Sequence, residues 1–508
     1  MWTDRTLAGF CLAAVGLLAA AYLWEFHGVS PQLDDAFISY RYALNLVSGH
    51  GLVFNVDERV EGYTNLLWTL LVAAGMWLGG DGPGVGHLLS EVFGAASLVA
   101  IYLYTRHLLP PHLAWRAVLA PAALYASNAF VKWTTAGLET PLFLFLVISI
   151  ALAAARGRRW VMVALCILAT LTRPDGVLVA AVFLGADVWQ RWSEAAWRPG
   201  QAPRILAPMT VFGVSLLLLT AWRWFYYGDL LPNTFYAKVG GVPISTGMLY
   251  LVNFLRDGPV FLLPGTLLAV SRVPAFRPGA GLIYLVMAYV VAIGGDVFTC
   301  GRFLLPILPM FIAGAIAGST TIAPRRALLR WALAIAVPLN AIWSLYGYWP
   351  DAWGLVDPDF RAAAAPQFPV LVKRAAAANQ NLFGNDQENA MRDIAQLRMI
   401  SLPARLVATV AIGRLGYYAP DLRLLDLVGL VDRHIAYSHR VMARSVLWPG
   451  HQRTDSDYVL ARRPDVILIP QKGSQLWDLP TFLDLWNNPN LDRYYRYDTD
   501  IHGYVLRS

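Results

Sequence analysis

The chain has 508 residues, of which 57% are hydrophobic and only 14% charged, with a mean hydropathy of +0.47. Soluble domains carry about 25% charged residues, so this composition excludes an ordinary cytosolic enzyme, and it is too apolar for a disordered chain. The net charge of +7 raises the question of an acidic polymer as partner, and the answer depends on where the charges lie. Three cysteines (Cys11, Cys166, Cys300) make neither a disulfide framework nor a Cys-rich metal site.

Crossing a bilayer takes about 20 mostly apolar residues, fewer where a helix is buried in a bundle. Eleven runs are predicted to span: 6–24, 87–105, 115–131, 139–155, 160–172, 177–190, 205–223, 258–272, 280–294, 304–320 and 327–346. The first ends near Ala19-Ala20-Ala21, a cleavage-like pattern, but its apolar run is longer than a signal core and ten more follow. The fold class expected is therefore a polytopic α-helical membrane protein with about 11 transmembrane helices.

The run Thr64–Gly79 decides the topology. If it spans, the basic clusters at 106–116, 156–159 and 325–330 fall outside, against the positive-inside rule. If it lies along the outer surface as an interfacial helix, the N-terminus and those clusters share the cytoplasm. That side then holds 14 Lys/Arg and three acids, net +11, whereas the outward segments before residue 347 hold 8 and 13, net −5. The surplus charge reads as an orientation signal rather than a nucleic-acid footprint. It predicts a multi-pass protein of the plasma (inner) membrane, with a cytoplasmic N-terminus and an extracytoplasmic tail.

A transmembrane module over residues 1–348, with an outer loop at 25–86, is expected to precede an extracytoplasmic α/β domain over 349–508. Helices are predicted at 370–384, 386–399 and Asp457–Arg463, and buried strands at Leu406–Ile412, Leu424–Leu430 and Val466–Ile469. A lid or acceptor platform without chemistry of its own accounts for this domain.

The outward loops carry the unusual residues. They read QLDDAFISYRYALNLVSGHGLVFNVDERVEGYTN (32–65), TTAGLET (134–140), LTRPDG (171–176), WRWFYYGDLLPNTFYAK (222–238) and GGDVFTCGRF (294–303). Ionisable groups beside apolar spans are costly, and five such loops on one face suggest a polar site. Asp34 and Asp35 open a helical stretch, 36–47, where capping of the helix start is the plain alternative to catalysis. Adjacent carboxylates repel, which raises one pKa and leaves a general base. Arg41 shares the helix face of Asp34 at i+7, with Ile38 between them at i+4, and is placed to hold a carboxylate.

Arg173, Lys238 and Arg302 are outward cations at span ends, at the depth of a lipid phosphate. The plainer alternative pairs Arg173 with Asp175 and Arg302 with Asp296. Glu139 opens a span and Asp229 reads as a turn residue before Pro232. The outer tyrosines and tryptophans, Tyr63 and Tyr236 among them, fit an interfacial belt first and sugar-stacking surfaces second. Arg41, His50, Glu61, Tyr63, Glu139, Tyr236 and Asp296 are the candidate substrate contacts.

The strings DDAFISYRYA, GHGLVFN, ERVEGYTN, TAGLETPLF, LTRPDG, YYGDLLPNTFYAK, GGD and GRFLLP resemble the GT-C membrane glycosyltransferases, in particular their terminal arabinofuranosyltransferase branch. The resemblance covers most of 30–310, and YYAPDLRLLDLVGLVDRHIA (417–436) continues it into the tail. It implies a polyprenyl-phosphate sugar donor, an extracytoplasmic glycan, lipid or protein acceptor, and no metal or other cofactor. It assigns catalysis to Asp34 and Asp35 and the donor phosphate to Arg302, Arg173 and Lys238. The sugar implied is D-arabinofuranose. The alternatives are a hexose or aminosugar transferase of the same fold, a pyrophosphate-donor ligase and a lipid-linked sugar flippase.

Overall fold

The computed structural model describes residues 4–26, 32–194, 199–238, 244–296, 298, 301–322, 335–340, 343, 406–440, 451–473 and 479–507. The expected helices at 370–384 and 386–399, Cys300 and most of the run 327–346 lie outside these residues.

The helices are α1 (Asp4–Phe26), α2 (Asp34–Val47), α3 (Leu66–Trp77), α4 (Gly82–Leu108), α5 (Leu119–Tyr125), α6 (Asn128–Thr135), α7 (Thr140–Ala155) and α8 (Arg159–Thr172). They continue with α9 (Gly176–Glu194), α10 (Ala202–Tyr227), α11 (Asn233–Lys238), α12 (Ile244–Arg256), α13 (Leu263–Arg272), α14 (Arg277–Ile293) and α15 (Leu308–Thr320). The tail alternates β1 (Leu406–Thr409), α16 (Gly413–Tyr418), β2 (Arg423–Asp426), α17 (Arg433–Ala436), α18 (Ser456–Ala461) and β3 (Val466–Leu468). It closes with α19 (Pro480–Asn487), α20 (Pro489–Tyr494), β4 (Tyr495–Asp498) and β5 (Gly503–Leu506).

Among the described residues, three helices are long and apolar enough to cross a membrane: 82–108, 202–227 and 274–293. Shorter apolar helices cover most of the other expected runs. The run 115–131 is a correction to the expected spans, because it is broken. A 3-10 turn at Pro111–Val118 leads into α5, and Ser127 turns extended (φ −78°, ψ 125°) before α6. In contrast, 64–79 folds as α3. Its 12 residues rise about 18 Å, short of a ~30 Å hydrocarbon core. On α10, Leu217 is 70% exposed and Phe225 83%, an apolar surface suited to lipid rather than water.

The chain forms two compact units, cut differently from a division at 348/349. One comprises residues 1–31, 87–217 and 247–381; the other comprises 32–86, 218–246 and 382–508. In the first, α13 packs against α15 through small residues. A Cβ on Gly265 would lie 2.8 Å from the Ala315 backbone, and one on Gly318 would overlap the Gly265 carbonyl oxygen.

The second unit is built on a five-stranded sheet of order β2-β1-β3-β5-β4. β1 pairs in parallel with β2 and β3, while β5 pairs antiparallel with β3 and β4. The three expected strands are present, though β1 and β2 stop early. Asp426 ends β2 by accepting the Val428 and Val431 amides, both at 2.9 Å, around Gly429 (φ 83°). α2 and the outer loop join this unit's core, where Ile38, Tyr42, Phe54 and Tyr63 pack with Val407, Leu424 and Val431. Asn55 completes the attachment by bonding the Leu424 backbone on both sides, N–H at 3.0 Å and C=O at 2.9 Å.

Candidate functional site

The first unit gathers three loop motifs around two buried arginines. Pro174 bars helical backbone at the preceding residue, so Arg173 leaves α8 extended (φ −153°, ψ 142°). Its Nε and Nη2 donate to Asp175, at 3.0–3.2 Å, and its Nη1 donates to Glu139 at 3.0 Å. Glu139 sits at the N-cap of α7 yet makes no capping bond; its carboxylate goes to Arg173 instead. α14 ends on Gly294 and Gly295, both at positive φ (84° and 82°), a turn that glycine adopts without strain. Asp296 then takes a two-pronged bond from Arg302, at 2.7 and 3.2 Å.

Both arginines flank one ring: the guanidinium carbons lie 5.1 Å (Arg173) and 5.0 Å (Arg302) from the Phe303 centroid. Arg302 also lies 5.5 Å from the Trp133 centroid, and Lys132 Nζ lies 5.3 Å from the same ring. Lys132 is 4% exposed. The sequence reading passed over it because it falls between the apolar run 115–131 and the loop motif 134–140. Lys132, Arg173 and Arg302 balance Glu139, Asp175 and Asp296 in formal charge. Such a desolvated network holds its shape through mutual pairing, and removing one member leaves a buried charge uncompensated.

The second unit holds the acid pair. Asp34, half-buried at the start of α2, accepts the Gly413 N–H at 2.9 Å and the Arg414 N–H at 2.8 Å. These amides open α16 just after β1, a place where backbone N–H groups favour a carboxylate. Arg414 also donates to the Gln32 carbonyl and lies 5.4 Å from the Phe37 centroid. Burial lifts the Asp34 carboxyl to about 6, against the pull of the two amide bonds and with a push from Asp35. Asp35 is half-buried beside it on the first turn.

Arg41 corrects the sequence expectation. It is buried, and its guanidinium bonds the Phe54 carbonyl at 3.0 Å and the Pro420 carbonyl at 2.7 Å, with no bond to Asp34. The i+7 face was read correctly, but the loop folds back and claims the arginine. Tyr63 is equally internal, its hydroxyl 3.0 Å from that of Tyr227. Glu61 is 2% exposed and takes the Arg223 Nε at 2.9 Å. Its other oxygen has no hydrogen bond among the described residues, and burial pushes its carboxyl up to about 7, only partly offset by Arg223.

His50 and Lys238 are exposed, and Tyr236 stacks on Tyr437 with centroids 4.5 Å apart. Asp229, read as a turn residue, holds Arg433 and accepts the Tyr437 hydroxyl at 2.9 Å. Among the described residues, no group of three or more His, Cys, Asp or Glu is placed to hold a metal ion.

Solved structures share the architecture of this chain. The chain overlays on ArnT from Cupriavidus metallidurans bound to undecaprenyl phosphate with a TM-score of 0.55. That overlay covers 83% of this chain and 87% of that one at 12% identity. The apo state of the same protein gives 0.50, covering 84% and 87%. The chain has the GT-C fold.

The resemblance to terminal arabinofuranosyltransferases is borne out in sequence. The terminal beta-(1->2)-arabinofuranosyltransferase of Mycobacterium tuberculosis is 30% identical over 269 residues, 48% of this chain and 40% of that one. The Corynebacterium glutamicum protein of the same name is 27% identical over 354 residues, 61% and 50% of the two chains. The chain thus spans half or less of the length of these relatives. Residues 380–500 match a domain of unknown function, DUF8728.

Proposed function

We propose that this GT-C protein moves a sugar, D-arabinofuranose, from a polyprenyl monophosphate to an extracytoplasmic acceptor. The observation that carries the reading is the buried Arg173–Arg302 cluster, in a chain 30% identical over 269 residues to a terminal arabinofuranosyltransferase. Its guanidinium groups suit a lipid-linked phosphate. In this reading Arg302 exchanges its two-pronged bond with Asp296 for one with the donor phosphate. Arg173, whose three nitrogens already serve Asp175 and Glu139, keeps the cluster in register. Lys132 adds a second positive charge beside Trp133, and Lys238 on α11 is a further cation proposed for the donor headgroup.

In the transfer the bond between the anomeric carbon and the phosphate oxygen breaks, its electron pair leaving with the phosphate. The acceptor hydroxyl oxygen forms the new bond to that carbon and gives up its proton. Phosphate is a good leaving group, so positioning and charge stabilisation supply most of the rate. Asp34 is spoken for by the Gly413 and Arg414 amides, which makes it the positioning member of the pair. Asp35, the next residue on the same first turn of α2, is taken as the reacting carboxylate, as base or as stabiliser of an oxocarbenium-like centre. Donor cleavage followed by release of free polyprenyl phosphate tests the assignment. Asp35→Ala is expected to abolish cleavage, and full activity in an Asp34→Ala/Asp35→Ala double variant would overturn it.

A further inference from the structure

The second unit contains a cleft of about 800 Å³ lined by Gly228, Asp229, Arg433, His434, Tyr437, Ser438, His439, Arg440 and Asp455. None of these residues belongs to the acid pair or the arginine cluster. Ligand pockets run to roughly 300–1,000 Å³, so this one has room for more than a single sugar ring.

Its charges are paired off. Arg433 Nε donates to Asp229 at 3.0 Å, Arg440 Nη2 to Asp457 at 2.7 Å, and His434 Nε2 meets Asp455 at 2.9 Å. Two arginines therefore face two lining carboxylates, and a polyanion entering here meets as much repulsion as attraction. What the wall offers instead is donors and acceptors side by side, the pattern that neighbouring hydroxyl groups satisfy. Two of its rings are braced from behind. Tyr437 stacks on Tyr236 (4.5 Å, 25°) yet remains 41% exposed, and His434 stacks on Tyr458 (3.9 Å, 13°). Rings held this way present flat apolar faces at little further cost in side-chain entropy.

We infer that this cleft binds an uncharged oligosaccharide, with sugar C–H faces on the Tyr437 and His434 rings and hydroxyl pairs on the Arg433–Asp229 and His434–Asp455 couples. The ligand is the glycan acceptor, an assignment that rests on the glycosyltransferase reading above. Calorimetric titration of the full-length protein in detergent with a neutral arabinofuranose hexasaccharide, without donor, tests the cleft separately from the chemistry. Binding is expected to weaken about tenfold in Tyr437→Ala and in His434→Ala, whose ring is half exposed, and to stay unchanged in Arg496→Ala on β4. Equal affinity in wild type, Tyr437→Ala and His434→Ala would overturn the inference, as would binding of an inorganic polyphosphate of similar length in place of the hexasaccharide. If the hexasaccharide binds as expected but no polyprenyl-phosphate sugar is cleaved, the cleft stands and the transferase reading falls. If transfer proceeds and the hexasaccharide KM is untouched by Tyr437→Ala, the transferase stands and the cleft falls.

Discussion

Replacing Asp34 by alanine should loosen α16 and do little to the rest of its unit. The carboxylate accepts two amides, at 2.9 Å from Gly413 and 2.8 Å from Arg414, and among the described residues no other side-chain oxygen bonds them. Asp34→Ala strands both donors at a half-buried helix start. An unmet buried donor costs about 1–3 kcal/mol, so allowing for some access of water the pair comes to roughly 2–4 kcal/mol. Local opening should become about 30-fold to several-hundred-fold more frequent, since 1.4 kcal/mol is tenfold. Hydrogen–deuterium exchange of a peptide covering 411–419 reads this directly, with Asp35→Ala as the comparison. Faster exchange in Asp34→Ala alone is the expected result. Faster exchange in Asp35→Ala with Asp34→Ala unchanged would refute the division of labour between the two acids.

The same carboxyls set a pH dependence. Asp34 and Asp426 titrate near 6 and Glu61 near 7, all raised by burial above ordinary carboxylate values. The folded state then binds protons more tightly than the unfolded chain. This contribution is complete below about pH 4 and fades as pH rises through 6 to 7. Thermal stability should therefore fall from pH 5 to pH 7.5, and Asp426→Asn should flatten part of that slope. A rise with pH would contradict the burial. In the arginine cluster, Arg302→Lys loses the two-pronged geometry and should raise the donor KM by about tenfold, or ~1.4 kcal/mol. Asp296→Asn removes the competing carboxylate and should lower that KM; donor kinetics on both variants check the exchange. Gly318→Ala forces a methyl into the Gly265 carbonyl oxygen and should cost about 1–3 kcal/mol, visible as a lower unfolding midpoint. An unchanged midpoint would mean that α13 and α15 are not in such close contact.

Much of the site was legible because its parts are local. LTRPDG puts Arg173 two residues from Asp175, and GGDVFTCGRF puts Asp296 six before Arg302, so sequence spacing alone presented both ion pairs. Proline and paired glycines marked the bends that make those pairings. What escaped were partners distant along the chain. The amides that hold Asp34 lie 379 and 380 positions away, and nothing in GRLGYY signals a carboxylate acceptor. Arg41 followed its helix face as expected, but its carbonyl partners come from Phe54 and Pro420. Lys132 was passed over because it falls in the gap between the apolar run 115–131 and the loop motif that starts at Thr134. β4 and β5 were missed because YRYD and GYVL are four-residue strands whose charged or glycine positions dilute the strand pattern. The three parallel strands were plain because buried strands read as continuous apolar runs.

The most direct measurement supplies the purified protein, in lipid nanodiscs, with a series of polyprenyl monophosphates bearing arabinofuranose, a hexose or an aminosugar, and follows release of polyprenyl phosphate by mass spectrometry. The account predicts release from the arabinofuranosyl donor alone, lost in Asp35→Ala and weakened in Arg302→Lys. Release from none of the donors would contradict it at its root, and release only from the aminosugar or hexose donor would contradict the choice of sugar.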